Sequence, residues 1–173
     1  MEFSLCIPGL HAFTGFASTT IRKLPVNCIF CAIAKKESPA AVVYEDEQCL
    51  AFLSIQPITP GHVLVIPKAH ATGLGDIPPQ TCGHMMRVGQ RVAAALRESG
   101  LSLKEQPCEG INLLLCDGAV AGQTVGHAHL HVLARFVGDG FNLGHADLPL
   151  ATPQVLGERA EQIRRALSSL PVV

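Results

Sequence analysis

Tryptophan is absent from this 173-residue chain, and tyrosine occurs once. No apolar run approaches the ~18 residues that a membrane-crossing helix needs, so a membrane span is excluded on length. An excess of positive charge is missing too. The net charge is -1, and nothing resembles the basic footprint of a nucleic-acid binder. Internal repeats and low-complexity blocks are lacking, which excludes solenoids and tail-like regions. Neither an even cysteine count nor a secretory signal is present. The seven cysteines, Cys6, Cys28, Cys31, Cys49, Cys82, Cys108 and Cys116, therefore read as reduced thiols of an intracellular, cytoplasmic protein rather than a disulfide framework.

What is there is a globular composition, 48% hydrophobic and 16% charged, on a chain long enough for one domain with a real core. Residues 1–26 have no clear period, one acid (Glu2) and two bases (Arg22, Lys23). They read as an N-terminal extension, disordered or loosely packed, with organelle targeting as the second reading. The domain is expected over residues 27–142, and a tail with a helix over 143–173. Residues 28–35, "CIFCAIAK", predict a short helix stopped before Pro39. "AVVYE" (41–45) and "QCLAFLS" (48–54) predict a hairpin, and "HVLVIPK" (62–68) a buried strand. Pro78 and Pro79 open a long helix that Gly100 closes, with Met85, Val88, Val92 and Leu96 on one face. "INLLLCD" (111–117) predicts a fourth strand, and a fifth follows the loop "GAVAGQTVG". Leu156, Ala160, Ile163 and Leu167 repeat the helical spacing near the end. The pattern is α+β around a five-stranded antiparallel sheet, with one long helix, one short helix and a C-terminal helix.

The fifth segment reads "GHAHLHVLARF" (126–136). With a strand's period of two, His127, His129 and His131 share one face, ~7 Å apart, while Ala128, Leu130 and Val132 point to the other and can pack on the long helix. Three readings meet this pattern: a polar face that happens to use histidine, a metal site, or a catalytic row. Imidazole can attack phosphorus, move a proton near neutrality and donate to a phosphate oxygen. The loop ahead favours the third reading. Gly118, Gly122 and Gly126 let backbone approach an anion, and Gln123 and Thr124 supply neutral donors.

"AGQTVGHAHLHVLARF" resembles the histidine-triad signature of the HIT family of nucleotide hydrolases and transferases. "CIFCAI", "VVYEDEQCLAFLSIQPITPGHVLVIPKAH" and "RFVGDGFN" resemble further family segments, closer to the Hint and bacterial Hit branches than to Fhit. The resemblance implies a HIT-like fold and a purine nucleotide substrate, an AMP conjugate. His129 would attack the α-phosphorus and carry a covalent nucleotidyl group, which water then releases. His131 would bind a phosphate oxygen, and Gln123 and Thr124 the phosphate and leaving group. His62 would orient the row, beside the alternative that it is a structural histidine. Phe30, Ile33, Phe52 and Ile55 would line the base, and position 54 would meet the ribose. No catalytic divalent cation enters this scheme. The family's frequent acid at position 54 is here Ser54, and its frequent Asn before the glycine loop is Cys116. A lost charged acceptor costs on the order of 1.5–3 kcal/mol, about ten- to hundredfold in affinity. Adenosine 5′-phosphoramidase activity is the first expectation. A dinucleoside polyphosphate hydrolase, or a weakly active nucleotide-binding scaffold, is the alternative.

Cys28-x-x-Cys31 has the spacing of a structural zinc half-site. Two small residues on a short helix, or a redox pair, are the competing readings, the last without the βαβ context it needs. Resemblance to bacterial Hit proteins and galactose-1-phosphate uridylyltransferase adds His70 and His127 as the remaining zinc ligands. It also implies a homodimer, with Met85, Met86, Val88 and the 111–117 strand as interface material.

Overall fold

The computed structural model describes residues 28–143 and 150–170; the expected N-terminal extension, with Cys6, lies outside them. The short apolar runs pair as strands. These are β1 (Val42–Glu45), β2 (Cys49–Leu53), β3 (Val63–Pro67), β6 (Gly110–Leu115) and β7 (Leu130–Arg135). They form one antiparallel sheet in the order β1-β2-β3-β7-β6. Helix α1 (Ile29–Ala34) precedes β1, and α2 (Pro79–Glu98) joins β3 to the second half. The five-stranded sheet and the helices match the expected fold class. A separate two-stranded ribbon, β4 (Ser102–Leu103) with β5 (Gln106–Pro107), was not foreseen. Its strands are two residues each, too short to show a period. Lys104 and Glu105 turn it with positive φ.

The alternation of β7 sorts the sheet into two faces. Leu130, Val132 and Ala134 join Ala51, Val63 and Val65 against Met85, Val88, Val92 and Leu96 of α2. Each such aliphatic side chain taken fully from water stabilises the fold by about 1.5–3 kcal/mol. Gly89 lets α2 approach closely, since a Cβ there would lie 2.8 Å from Leu130. Leu50, Phe52, Leu64 and Ile66 face the other way, under Phe30 of α1.

Asp46 shapes the β1–β2 turn. Its Oδ1 accepts from the backbone N–H of Gln48 and Cys49 at 2.8 and 2.7 Å, and its Oδ2 from Tyr44 Oη and His84 Nε2 at 2.7 and 2.6 Å. Arg135 closes β7 by gripping Asp139 through Nε and Nη2 at 2.6 and 2.9 Å. Both are bidentate uses of one side chain to fix a turn.

Two expectations are corrected. The histidine strand begins only at Leu130, so His127 and His129 lie in the segment leading into it, His127 at a bend where its N–H bonds the Val125 carbonyl at 2.8 Å. Met85 and Val88 are buried in this chain's own core, leaving Met86 as the exposed one of the three proposed for an interface. The C-terminal helix forms as α3 (Pro153–Ser168), with Thr152 Oγ1 capping the Val155 N–H at 3.3 Å and Pro153 at its first position. Its apolar stripe, Leu156, Ile163 and Leu167, faces solvent rather than a core.

Candidate active site

Each of the four histidines around β7 has a hydrogen bond that settles which ring nitrogen carries the proton. His129 Nδ1 lies 2.7 Å from the His127 backbone oxygen. A carbonyl only accepts, so Nδ1 is the N–H, and the neutral ring is left with a bare lone pair on Nε2. His62 Nδ1 accepts from the Ile58 N–H at 3.3 Å, and its Nε2 lies 2.9 Å from His131 Nδ1. His62 then donates through Nε2, and His131 keeps its proton on Nε2. The Gln56 carbonyl pulls the other way on His62, but the Ile58 N–H is the partner at hydrogen-bonding distance, and it decides the tautomer. The rings of His129 and His131 are 4.6 Å apart between centroids, and those of His62 and His131 stack at 5.2 Å. A bare nitrogen thus stands beside an N–H donor. That is a nucleophile next to an anion-binding group.

Burial keeps the donor pair uncharged. It lowers the His131 pKa from 6.5 to about 4, with His129 and His62 adding to the effect. His62 is also lowered, by burial first and then by His129. Between pH 4 and 6.5 the unfolded chain holds more protons on the His131 ring than the folded one. Stability therefore rises with pH through that window and is fully present above it. At pH 5 the loss from this ring is at most about 2 kcal/mol. His131→Asn should remove that part of the pH dependence, read as the difference between variant and wild-type thermal unfolding at pH 5 and pH 7.5.

Phe30 forms the wall. Its ring meets those of Phe52, His129 and His127 edge-on, at 5.4, 5.3 and 5.9 Å. Phe52 is buried beneath it and Ile33 is half-buried beside it. Ile55, expected against the base, is almost fully exposed at 97% and forms no wall in the described chain. Ser54 is half-buried, and its hydroxyl donates to the Gln56 carbonyl at 3.1 Å, so it is turned onto its own loop. Cys116 is half-buried at the end of β6.

The glycine loop is pinned by Gln123. Its Nε2 donates to the Thr72 carbonyl at 2.7 Å, and its Oε1 accepts from the Gly118 N–H at 2.8 Å. One N–H of the amide remains for a ligand. Gly118 and Gly122 both take φ near +90°, which the turn requires of them, and Thr124 is exposed.

Behind Phe30 four ligand atoms converge. Those of Cys28, Cys31, His70 and His127 all lie within 4.8 Å of one another. His70 Nδ1 is 3.2 Å from Cys31 Sγ, and His127 Nδ1 is 3.4 and 3.6 Å from Cys28 and Cys31 Sγ. His127 gives its Nε2–H to the Pro67 carbonyl at 2.9 Å, which leaves Nδ1 bare toward the thiols. Burial, then hydrogen bonding with Cys28, pushes the Cys31 thiol up to about 11. A cation is what would convert such a thiol to a ligating thiolate. Two sulfurs and two imidazoles, one oriented from behind by a carbonyl, can hold a metal ion and are donors of the kind zinc takes. A second group, Asp46, Cys49 and His84, is gathered as closely, but its carboxylate is already spent on the turn bonds described above.

The structure thus brings together His62, His129, His131, Phe30 and Phe52 on one side and the four metal-type ligands on the other. What the residues alone did not show are the groups that set the tautomers, the Ile58 N–H and the carbonyls of Pro67 and His127, and the Thr72 carbonyl that pins Gln123. These are backbone atoms, which no residue pattern singles out.

Comparison with known proteins agrees with this geometry. Residues 35–138 match the model of the HIT domain. "Adenylylsulfatase HINT3" of Arabidopsis thaliana is 36% identical over 135 residues, 78% of this chain and 64% of that protein. A zinc-bound histidine triad family protein from Mycobacterium smegmatis is 42% identical, with a TM-score of 0.60 over 80% of this chain and 96% of that one. The histidine triad nucleotide-binding protein of Candida albicans is 31% identical, with a TM-score of 0.73 over 84% of this chain and all of the other at 100%. With three histidines placed as described and more than half its length matching the domain, this chain belongs to the HIT family.

Proposed function

We propose that the protein cleaves a nucleoside 5′-phosphate, AMP, from a small leaving group through a covalent nucleotidyl-His129. One observation carries this reading: His129 offers a bare Nε2 while its Nδ1–H is held at 2.7 Å by the His127 carbonyl. Attack forms the Nε2–P bond and breaks the bond from phosphorus to the leaving group, which departs with the electron pair and takes a proton from solvent, a proton that the later attack of water gives back. The positive charge that develops on the ring is met by that carbonyl's dipole. The His131 Nε2–H is the donor for a non-bridging oxygen. Water then displaces Nε2 and returns the ring to neutrality. Phe30 and Phe52, with Ile33, supply an apolar seat for a base. Cys28, Cys31, His70 and His127 would hold zinc, whose part is to clamp α1 to the sheet. The reading places the protein in the cytoplasm, where reduced thiols remain available to metal.

The relative named an adenylylsulfatase supports an adenylyl group with a small leaving group, and the Hint-like loop favours an amine. Turnover of adenosine 5′-phosphoramidate, adenylyl sulfate and diadenosine polyphosphates, measured side by side, tests this. Fastest turnover of the phosphoramidate is expected. A preference for the polyphosphates would favour the alternative, and AMP binding without turnover of any of them would make the protein a scaffold. Family resemblance further supports a homodimer, for which we propose the edge strand β6 with its exposed Leu113. Sedimentation showing only an 18.3 kDa species at micromolar concentration would remove the dimer.

A further inference from the structure

We infer that the Cys28–Cys31–His70–His127 centre positions the nucleophile, through Phe30 and the backbone of His127. The inference rests on the reading of His129 as nucleophile and gives the metal centre a task beyond holding the fold.

Helix α1 has six residues, no side-chain cap and no acid in its first turn. A helix so short has no stability of its own. Its place is set by what its side chains touch: Ile33 and Ala34 pack with Phe30 on Leu50, Phe52, Leu64 and Ile66. Cys28 and Cys31 reach back to the ligand cluster, and Phe30, between them in the chain, packs forward. The same Phe30 ring lies 5.9 Å from the ring of His127, a metal-type ligand, and 5.3 Å from that of His129. The two sulfurs thus share with these apolar contacts the placing of the wall beside the nucleophile.

The second route is through the backbone. His127 is clamped at both nitrogens, Nε2 by the Pro67 carbonyl and Nδ1 by the sulfurs. Beside it, the Ala128 N–H bonds the Ala71 carbonyl at 2.6 Å, next to His70 in the chain. Two of the four ligands thus lie next to the two residues of this bond, which holds the 127–129 segment. The carbonyl they hold in place is the one that takes the His129 Nδ1–H at 2.7 Å. A turn of that peptide would release the proton and let His129 adopt the other tautomer, with its lone pair pointing away from the pocket. His127 and Phe30 are therefore positioning residues.

The test uses the full chain labelled with ¹⁵N-histidine at pH 7.5, stripped by chelator and then given one equivalent of zinc, with His129 assigned from a His129→Gln sample. The zinc-loaded protein should show His129 ring nitrogens of a single Nδ1–H tautomer. The stripped protein should show averaged shifts of two tautomers, and its Kd for AMP should be about tenfold weaker. Phe30→Leu keeps all four ligands. It should retain one zinc, shift the His129 signals part of the way, and weaken AMP binding with less than an additive further loss on stripping. Should stripping unfold α1, this loaded variant still decides. Identical His129 signals in loaded wild type and loaded Phe30→Leu, or in folded stripped and loaded protein, would overturn the inference. A zinc-dependent His129 tautomer in a protein that binds no AMP would leave the inference standing and remove the nucleotide reading instead.

Discussion

His129→Ala will abolish covalent labelling by an AMP donor and lower turnover by at least about a thousandfold, or about 4 kcal/mol of transition-state stabilisation. The size follows from geometry. His127 cannot replace the nucleophile, because it is fully buried with its free nitrogen among the thiols. Nor can His131, whose Nδ1 is occupied by His62 and whose other nitrogen carries the proton. Nucleotide binding should largely survive, since Phe30 and Phe52 remain. His131→Ala should be milder, reflecting the loss of one donor to phosphate, about 1.5–3 kcal/mol. Intact-mass spectrometry of protein quenched during turnover reads the adduct directly. An adenylate mapped to another residue, or near-normal turnover in His129→Ala, would end this mechanism.

The second large effect is on stability. Protein purified without chelator should carry one zinc, counted by elemental analysis, and Cys28→Ser should lower that count. A ligand present at a thousand times its Kd stabilises the folded state by about 4 kcal/mol. For a body of this size that is a fall in Tm of roughly 8–16 °C on removal. His127 explains why the loss should be felt: its buried Nδ1 would exchange a metal bond for the weak S–H donors of Cys28 and Cys31. A metal-free preparation whose melting is unaffected by Cys28→Ser would dismiss the zinc.

Much of this was legible in the residues, for identifiable reasons. The period of two in "HAHLHVL" put the imidazoles on one side and Ala128, Leu130 and Val132 on the other, and the core is divided that way. The spacing of Met85, Val88, Val92 and Leu96 gave α2 its buried face, and for the same reason it disqualified Met85 and Val88 as interface residues. The strand starts later than the alternation implies, because residues 127–129 lie outside the ladder, with the Ala128 N–H given to the Ala71 carbonyl, and alternation does not report pairing. The family resemblance puts Ile55 against the base, but its loop holds it in solvent. Proton placement was beyond reach altogether, since it depends on carbonyls and amides that every residue owns.

The strand order has a consequence for how the protein is made. β7 is the last strand of the sheet to be synthesised, yet it lies between β3 and β6, not at an edge. The chemistry waits on that insertion: His131 meets His62 across 69 residues of chain, and His127 meets Cys28 across 99. While the chain is emerging from a ribosome, β1, β2 and β3 can pair, and three of the four candidate metal ligands, Cys28, Cys31 and His70, are already present. The proposed nucleophile, His129, is not in place until β7 lies between its neighbours. On the proposed mechanism, a nascent chain is silent toward nucleotides until the sheet closes.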